Sequence, residues 1–391
     1  MPSRRRFLAA LSATGTAAIA GCSSTRSRDD PPAESETTDW PTSRHDAVNS
    51  GYAADTAGIR TPAEAWRAEI GMASAPPVAT EESVFVPAGD HLLVLDAETG
   101  DESWRVEYEG KGATVWAPPT VSDGVAYLGD GRQQVRAFDA ETGERRWRFE
   151  TDGSVYAAPT LAQGRLFFGT SDERVYALDP ETGEKRWHRN VFGSVTSSVA
   201  VRPPGVYVTT EAGEVYALSL HGEGAWRRRL PDRIQAPPTV VGGTVFVACN
   251  DGRVHALRAN RAGRTEWRTD VGGFPEGVSV AHGRVYVVGM RFHALGAEDG
   301  GKRWSVFSAD SPAGLPAVAG DTVYVGTEAG RLHAYRPGGG VGAFGVRFGP
   351  ERWTRKLGQS VERGLAVADG RVYAPVRVSD EKSALVALES T

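Results

Sequence analysis

Cysteine is nearly missing from this chain: of 391 residues only Cys22 and Cys249 are cysteine. A framework of disulfides is therefore excluded, and stability has to come from packing. Long apolar runs are lacking as well, since nothing after Cys22 approaches the ~20 apolar residues of a membrane-spanning helix. The compact metal-site signatures HExxH and paired CxxC do not occur. Positive charge is in deficit, with 44 Lys and Arg against 49 Asp and Glu and a formal net charge of −5. Loss of residues 1–21, which hold Arg4, Arg5 and Arg6 and no acidic group, leaves 41 basic against 49 acidic residues, a net −8. That balance argues against a nucleic-acid partner.

What is present begins with an address. Ser3 to Leu8, SRRRFL, matches a twin-arginine export signal centred on Arg4 and Arg5, and a mildly apolar run leads to Ile19, Ala20, Gly21 and Cys22. This ending has the form of a lipobox, which predicts cleavage before Cys22 and a diacylglycerol on its sulfur. Residues 1–21 are read as the signal. Residues 22–39, rich in Ser, Thr, Pro and charge and empty of large apolar side chains, cannot bury enough surface to order themselves and are read as a disordered tether. The folded part is expected over 40–391, outside the cytoplasm and held at a membrane surface by its lipid.

The folded part is organised around one motif. AFDAETGERRW, Ala137 to Trp147, returns as ALDPETGEKRW, Ala177 to Trp187, and is preceded by VLDAETGDESW, Val94 to Trp104. A period of about 40 residues signals a stacked or radial repeat. Each copy is a strand, a turn in which Gly takes positive φ, and a second strand anchored by Trp. Aligned copies give eight aromatics on one strand, Phe85, Tyr127, Phe167, Tyr207, Phe246, Tyr286, Tyr324 and Tyr373, and hence eight units. The Trp column supplies Trp104, Trp147, Trp187, Trp226, Trp267, Trp304 and Trp353, one short of eight. The missing member is Trp66, in AWRAEI at the other end of the chain. The sequence therefore predicts an all-β, eight-bladed β-propeller of four-stranded antiparallel blades, closed by pairing Ala65–Ile70 with the strand around Ser383–Leu388. Runs such as SVFV, RLFF and TVFV are apolar on successive residues, as strands covered on both faces should be. Five prolines, Pro77, Pro119, Pro159, Pro238 and Pro316, fall where the innermost edge is expected.

The Ala-x-Asp-x-x-Thr-Gly-x-x-x-Trp motif resembles that of the pyrroloquinoline-quinone-like (PQQ-like) β-propeller repeat family, whose members include quinoprotein alcohol dehydrogenases and the outer-membrane assembly lipoprotein BamB. The resemblance runs from about Trp40 to the end and is sharpest in the first three blades. It implies that the eight Trp side chains dock between neighbouring blades. For the redox members it also implies a quinone, a calcium ion with acidic and amide ligands, an Asp base and often a pair of adjacent cysteines. This chain cannot supply that pair, and fold does not carry activity with it. No catalytic residues, cofactor or metal are expected, with PQQ and calcium entering only under a dehydrogenase alternative.

Other constellations have structural readings. His255, His293 and His333 share one repeat column with Tyr176 and Tyr216, so each belongs to its own blade and reads as packing. Cys249 in VFVAC reads as a buried, inert thiol. GVGAFG, Gly340 to Gly345, matches GxGxxG literally, but a Trp strand follows instead of a helix, so it reads as an expanded hairpin loop in blade 7. WRRRLPDR, Trp226 to Arg233, places charge on an outermost strand, where it blunts an exposed edge. One variable column suggests recognition: Trp116, Tyr156, Gln235 and Glu362, with Ser74, Thr196, Pro275 and Ala313, lie on loops entering the innermost strands and should ring one mouth of the channel. The sequence as a whole points to a monomeric, non-catalytic scaffold for protein partners. A quinone-dependent dehydrogenase and a small-ligand sensor at the channel mouth are the alternatives.

Overall fold

The computed structural model describes residues 39–391 apart from 109–115, 307–309, 341, 344–345, 348–349 and 362. Their regular structure is β throughout, arranged as eight blades in a ring. Blade 1 is built from Val78–Ala79, Ser83–Ala88, His91–Asp96 and Glu102–Glu107, each strand antiparallel to the next. Blades 2 to 6 repeat this up-and-down order along the chain. Their second and third strands are buried almost end to end, as in Leu166 to Thr170 and Val245 to Cys249, because neighbouring blades cover both faces. Prolines 77, 119, 159 and 238 stand immediately before the innermost strands rather than on them, and Pro316 lies within its strand, Pro312–Ala319.

Blade 8 closes the ring as the repeat predicted. Its first three strands, Ala366–Ala368, Arg371–Arg377 and Ser383–Ser390, come from the end of the chain, and its fourth is Pro62–Gly71. Trp66 lies opposite Ala387 and Arg67 opposite Val386. Blade 7 carries the expanded hairpin: Gly342–Ala343 and Val346–Arg347 pair with each other between its third and fourth strands.

One feature of the architecture has no counterpart in the repeat. The stretch from Trp40 to Ala53 runs through the centre of the ring and bonds to the innermost edge of blade after blade. Trp40 exchanges both backbone bonds with Ala79 in blade 1, and the carbonyls of Pro41, Ala47, Val48, Ser50 and Gly51 accept from Val121, Val201, Val240, Val280 and Val318 in blades 2, 4, 5, 6 and 7. Tyr52–Ala53 then adds a parallel fifth strand to blade 7. Innermost strands otherwise present unpaired backbone groups to the channel, so this stretch satisfies edges that would be costly to leave bare.

Candidate functional site

Each Trp of the column closes one joint between blades. Its Nε1 donates to a backbone carbonyl in the next blade's third-to-fourth-strand turn: Trp66 to Ala97, Trp104 to Ala140, Trp147 to Pro180, Trp187 to Leu220, Trp226 to Ala259, Trp267 to Ala297 and Trp304 to Pro337, at 2.7 to 3.2 Å. Trp353 has no such turn to meet, because blade 8 is split between the chain ends, and donates to Ile59 at 2.8 Å instead. The motif glycine is required twice over. Gly183 has φ of 71°, and a Cβ there would lie 2.7 Å from the Trp147 ring. The motif Asp folds the turn itself: Asp179 Oδ1 accepts from the amides of Glu181 and Thr182, both at 3.0 Å.

The two faces of the disc differ in kind. Loops from a fourth strand to the next first strand, and turns from second to third strand, share the face on which the channel opens. All seven exposed large apolar side chains among the described residues lie there. Met72, Trp116, Tyr156, Phe192 and Phe274 are on the first kind of loop, Met290 and Val378 on the second. The opposite face carries the acidic Asp-x-x-Thr-Gly turns. Asp39 sits there, within electrostatic reach of Glu81 and Asp369 in the first-to-second-strand turns of blades 1 and 8, and burial raises its pKa. The chain preceding Asp39 therefore joins the disc at the face away from the mouth.

The mouth holds a cavity of about 340 Å³. The structure brings Trp116, Tyr156 and Gln235 together on its wall with Ser74 and Thr196, while Pro275 and Ala313 give way to their neighbours Glu276 and Gly314. Glu362 lies outside the described residues, as do Arg4, Arg5 and Cys22. Trp116 and Tyr156 keep 47% and 38% of their surface in solvent, enough to offer ring faces to a ligand or a partner. Gln235 is partly committed, donating to Glu211 at 3.4 Å and accepting from Asn250 at 3.3 Å.

The repeat alignment missed the residue beneath the cavity. Arg44 comes from the stretch that threads the channel and is only 2% exposed. It donates to the carbonyl of Val278, to Ser279 Oγ at 2.9 Å and to the carbonyl of Pro316 at 3.3 Å. Its Nε has no hydrogen-bond partner, and no carboxylate among the described residues pairs with it. Burial pulls its pKa down to about 10, against the opposing pull of Asp46. A signal existed in the sequence, a polar cluster Ser43-Arg44-His45-Asp46 just inside the folded part, but it lies outside the repeat. The histidine column stays dispersed: His255 meets Asp251 in blade 5, His333 meets Glu351 and Thr354 in blade 7, and His293 in blade 6 faces the backbone of Val271.

In this ring of eight four-stranded blades a column Trp closes each joint, and in the first three blades it follows an Asp-x-x-Thr-Gly turn; together these define the PQQ-like class of propellers. The model for the family described as outer membrane protein assembly factor BamB matches residues 53–203, 193–261 and 211–344, and the chain belongs to that family. None of the curated proteins matches the sequence. Among solved structures, BamB from Moraxella catarrhalis is similar at 18% identity and a TM-score of 0.66, covering 84% of this chain and 98% of its own. A quinohemoprotein alcohol dehydrogenase from Comamonas testosteroni is similar at 15% identity and a TM-score of 0.73, covering 91% of this chain and 81% of its own. A europium-containing methanol dehydrogenase is similar at 11% identity and a TM-score of 0.72, covering 90% and 98%. These likenesses are of fold. The described lining offers few ligands for the calcium that the dehydrogenase alternative requires: calcium takes 6–8 oxygen ligands rich in carboxylate, and Glu276 is the one carboxylate among the described lining residues.

Proposed function

We propose that this chain is an exported, lipid-anchored scaffold that binds another protein through its mouth face. The observation that carries the reading is the confinement of every large exposed apolar side chain among the described residues to that face, with the acidic turns and Asp39 on the other. Exposed apolar side chains gathered on one face, with Phe274 and Met290 on adjoining loops, suit a docking surface. The anchor side is consistent with it. A lipid on Cys22 would hold the acidic face toward the membrane, and the stretch from Cys22 to Asp39 can reach at most about 60 Å, leaving the apolar face turned outward. The BamB family is in keeping with an assembly role, and catalysis is not needed to explain any side chain at the mouth.

Photo-crosslinkers placed in native membranes at Phe274 and Met290, and as controls at Glu141 and Glu181 on the opposite face, test this. Crosslinks to a discrete protein from the first pair alone are expected; equal yields from both faces would sink the reading. The dehydrogenase alternative is tested separately, by adding quinone and calcium to the purified chain and following dye reduction with alcohols. Sustained turnover would replace the scaffold reading.

A further inference from the structure

The end of the second strand is finished differently from blade to blade, and in blade 4 the Thr210 hydroxyl donates at 2.9 Å to the carbonyl of Phe192 on the preceding loop. At the end of the second strand, blades 3 and 7 carry Thr170 and Thr327, whose hydroxyls donate across the turn to the carbonyls of Arg174 and Arg331 at 3.2 and 3.3 Å. The same ladder position in blade 5 is Cys249, opposite Arg253. A thiol is a weak donor and does not close the turn. Its Sγ lies instead 3.5 Å from the carbonyl oxygen of Asp232 and 3.8 Å from that of Arg233, on the loop that leads to the mouth. Asp251 in the turn places Oδ2 3.0 Å from Nε2 of His255 on the third strand. Donor atoms of Cys249, Asp251 and His255 all lie within 4.8 Å of one another, and all three residues are buried or nearly so. No other blade can hold this set, since Cys249 is the only cysteine after Cys22.

Sulfur, imidazole nitrogen and carboxylate oxygen together are the donor set of a borderline divalent ion, and tetrahedral zinc would place them about 3.4–3.6 Å apart. Small rotamer changes close the gap from the present spacing. We propose that Cys249, Asp251 and His255 form a three-donor site for a divalent cation of the zinc class, with water or the Asp232 carbonyl as the fourth ligand. Binding exchanges the Sγ–H proton for the metal, and the proton leaves to solvent. Arg253, whose Nη1 is 3.6 Å from Asp251 Oδ2, is partly exposed and can swing aside. A bound ion would pin the blade 5 turn to the loop carrying Gln235 and so stiffen one sector of the mouth.

The test uses the full chain with Cys22→Ser, so that Cys249 is the sole thiol, and cobalt(II) alone as the probe. Saturable binding with a near-ultraviolet thiolate-to-cobalt charge-transfer band and tetrahedral visible bands, displaced by zinc, is expected. Adding Cys249→Ser should abolish the charge-transfer band, and His255→Gln should weaken binding about 10-fold or more. Asp251→Asn, in a surface turn, provides a folded variant with the same expected loss should either of the others fail to fold. Absence of the band in folded protein at saturating cobalt, or its survival in Cys249→Ser, overturns the proposal.

Discussion

The motif Trp and the motif Gly act as a pair across each joint, and substitutions at either should reveal it. The Trp147 ring is half-buried, so Trp147→Ala is expected to cost about 3 kcal/mol, the low end of the range for large-to-small changes. Trp147→Phe keeps the packing but forfeits the bond to Pro180, for about 1 kcal/mol. Denaturant melts of the two variants, read at constant m-value, measure the difference. A second residue-scale expectation concerns His293, whose pKa burial depresses to about 4. The unfolded chain binds a proton at this position near pH 6.5 and the folded chain only near 4, so the contribution is fully present above 6.5 and is lost as pH falls through that window. The loss amounts to about 3 kcal/mol at most. His293→Leu should flatten that part of the stability profile; an unchanged slope between pH 6.5 and 4 would show that His293 is not its source. These residues were legible in the sequence because each sits in a repeat column, where eight copies fix a position that one copy would leave ambiguous.

At the scale of elements, the strand complement and the seam were legible and the axial segment was not. Alternating and apolar runs announce strands, but Trp40 to Ala53 has neither period, and nothing in its Ser, Arg, His, Asp and Asn assigns it a place in the ring. Its polarity is satisfied by partners the sequence cannot show: the backbone edges of six blades. Asn49 illustrates this. Its side-chain amide donates to the carbonyls of Val199 and Pro238 at 3.2 and 3.0 Å. In blades 3 and 5 a Thr hydroxyl from the preceding innermost strand meets the equivalent carbonyl, Thr160 to Val199 and Thr239 to Val278, whereas blade 4 offers only Ala200 there. Asn49 also holds φ of 59°, a conformation asparagine tolerates better than most residues. Asn49→Ala is expected to cost about 1–3 kcal/mol by leaving the buried Pro238 carbonyl without its donor, Val199 keeping that of Thr160, a loss that thermal unfolding would register. The same blindness hid Arg44 at the mouth, although the column reasoning had placed Trp116, Tyr156 and Gln235 there.

For the molecule as a whole, the ring is closed without a covalent bond: the strand from Pro62 and the strand ending at Ser390 meet by backbone pairing, with Trp66 docked on Ala97 and Trp353 on Ile59. Removing residues 1–71 would take away the seam strand and the axial segment together. Blade 8 would be left with three strands and the innermost edges bare, so the truncated chain is expected to lose its single cooperative melt. A variant lacking only residues 1–38 should keep it. Calorimetry on the two constructions separates a closed ring from a row of independent sheets.

The threaded segment has a further consequence. Trp40 to Ala53 bonds to the inner edges at one level, since Ala79, Val121, Val201, Val240, Val280 and Val318 are equivalent positions of their blades, and so it forms a hoop inside the disc. Loosening that hoop at one point would be felt by six blades at once.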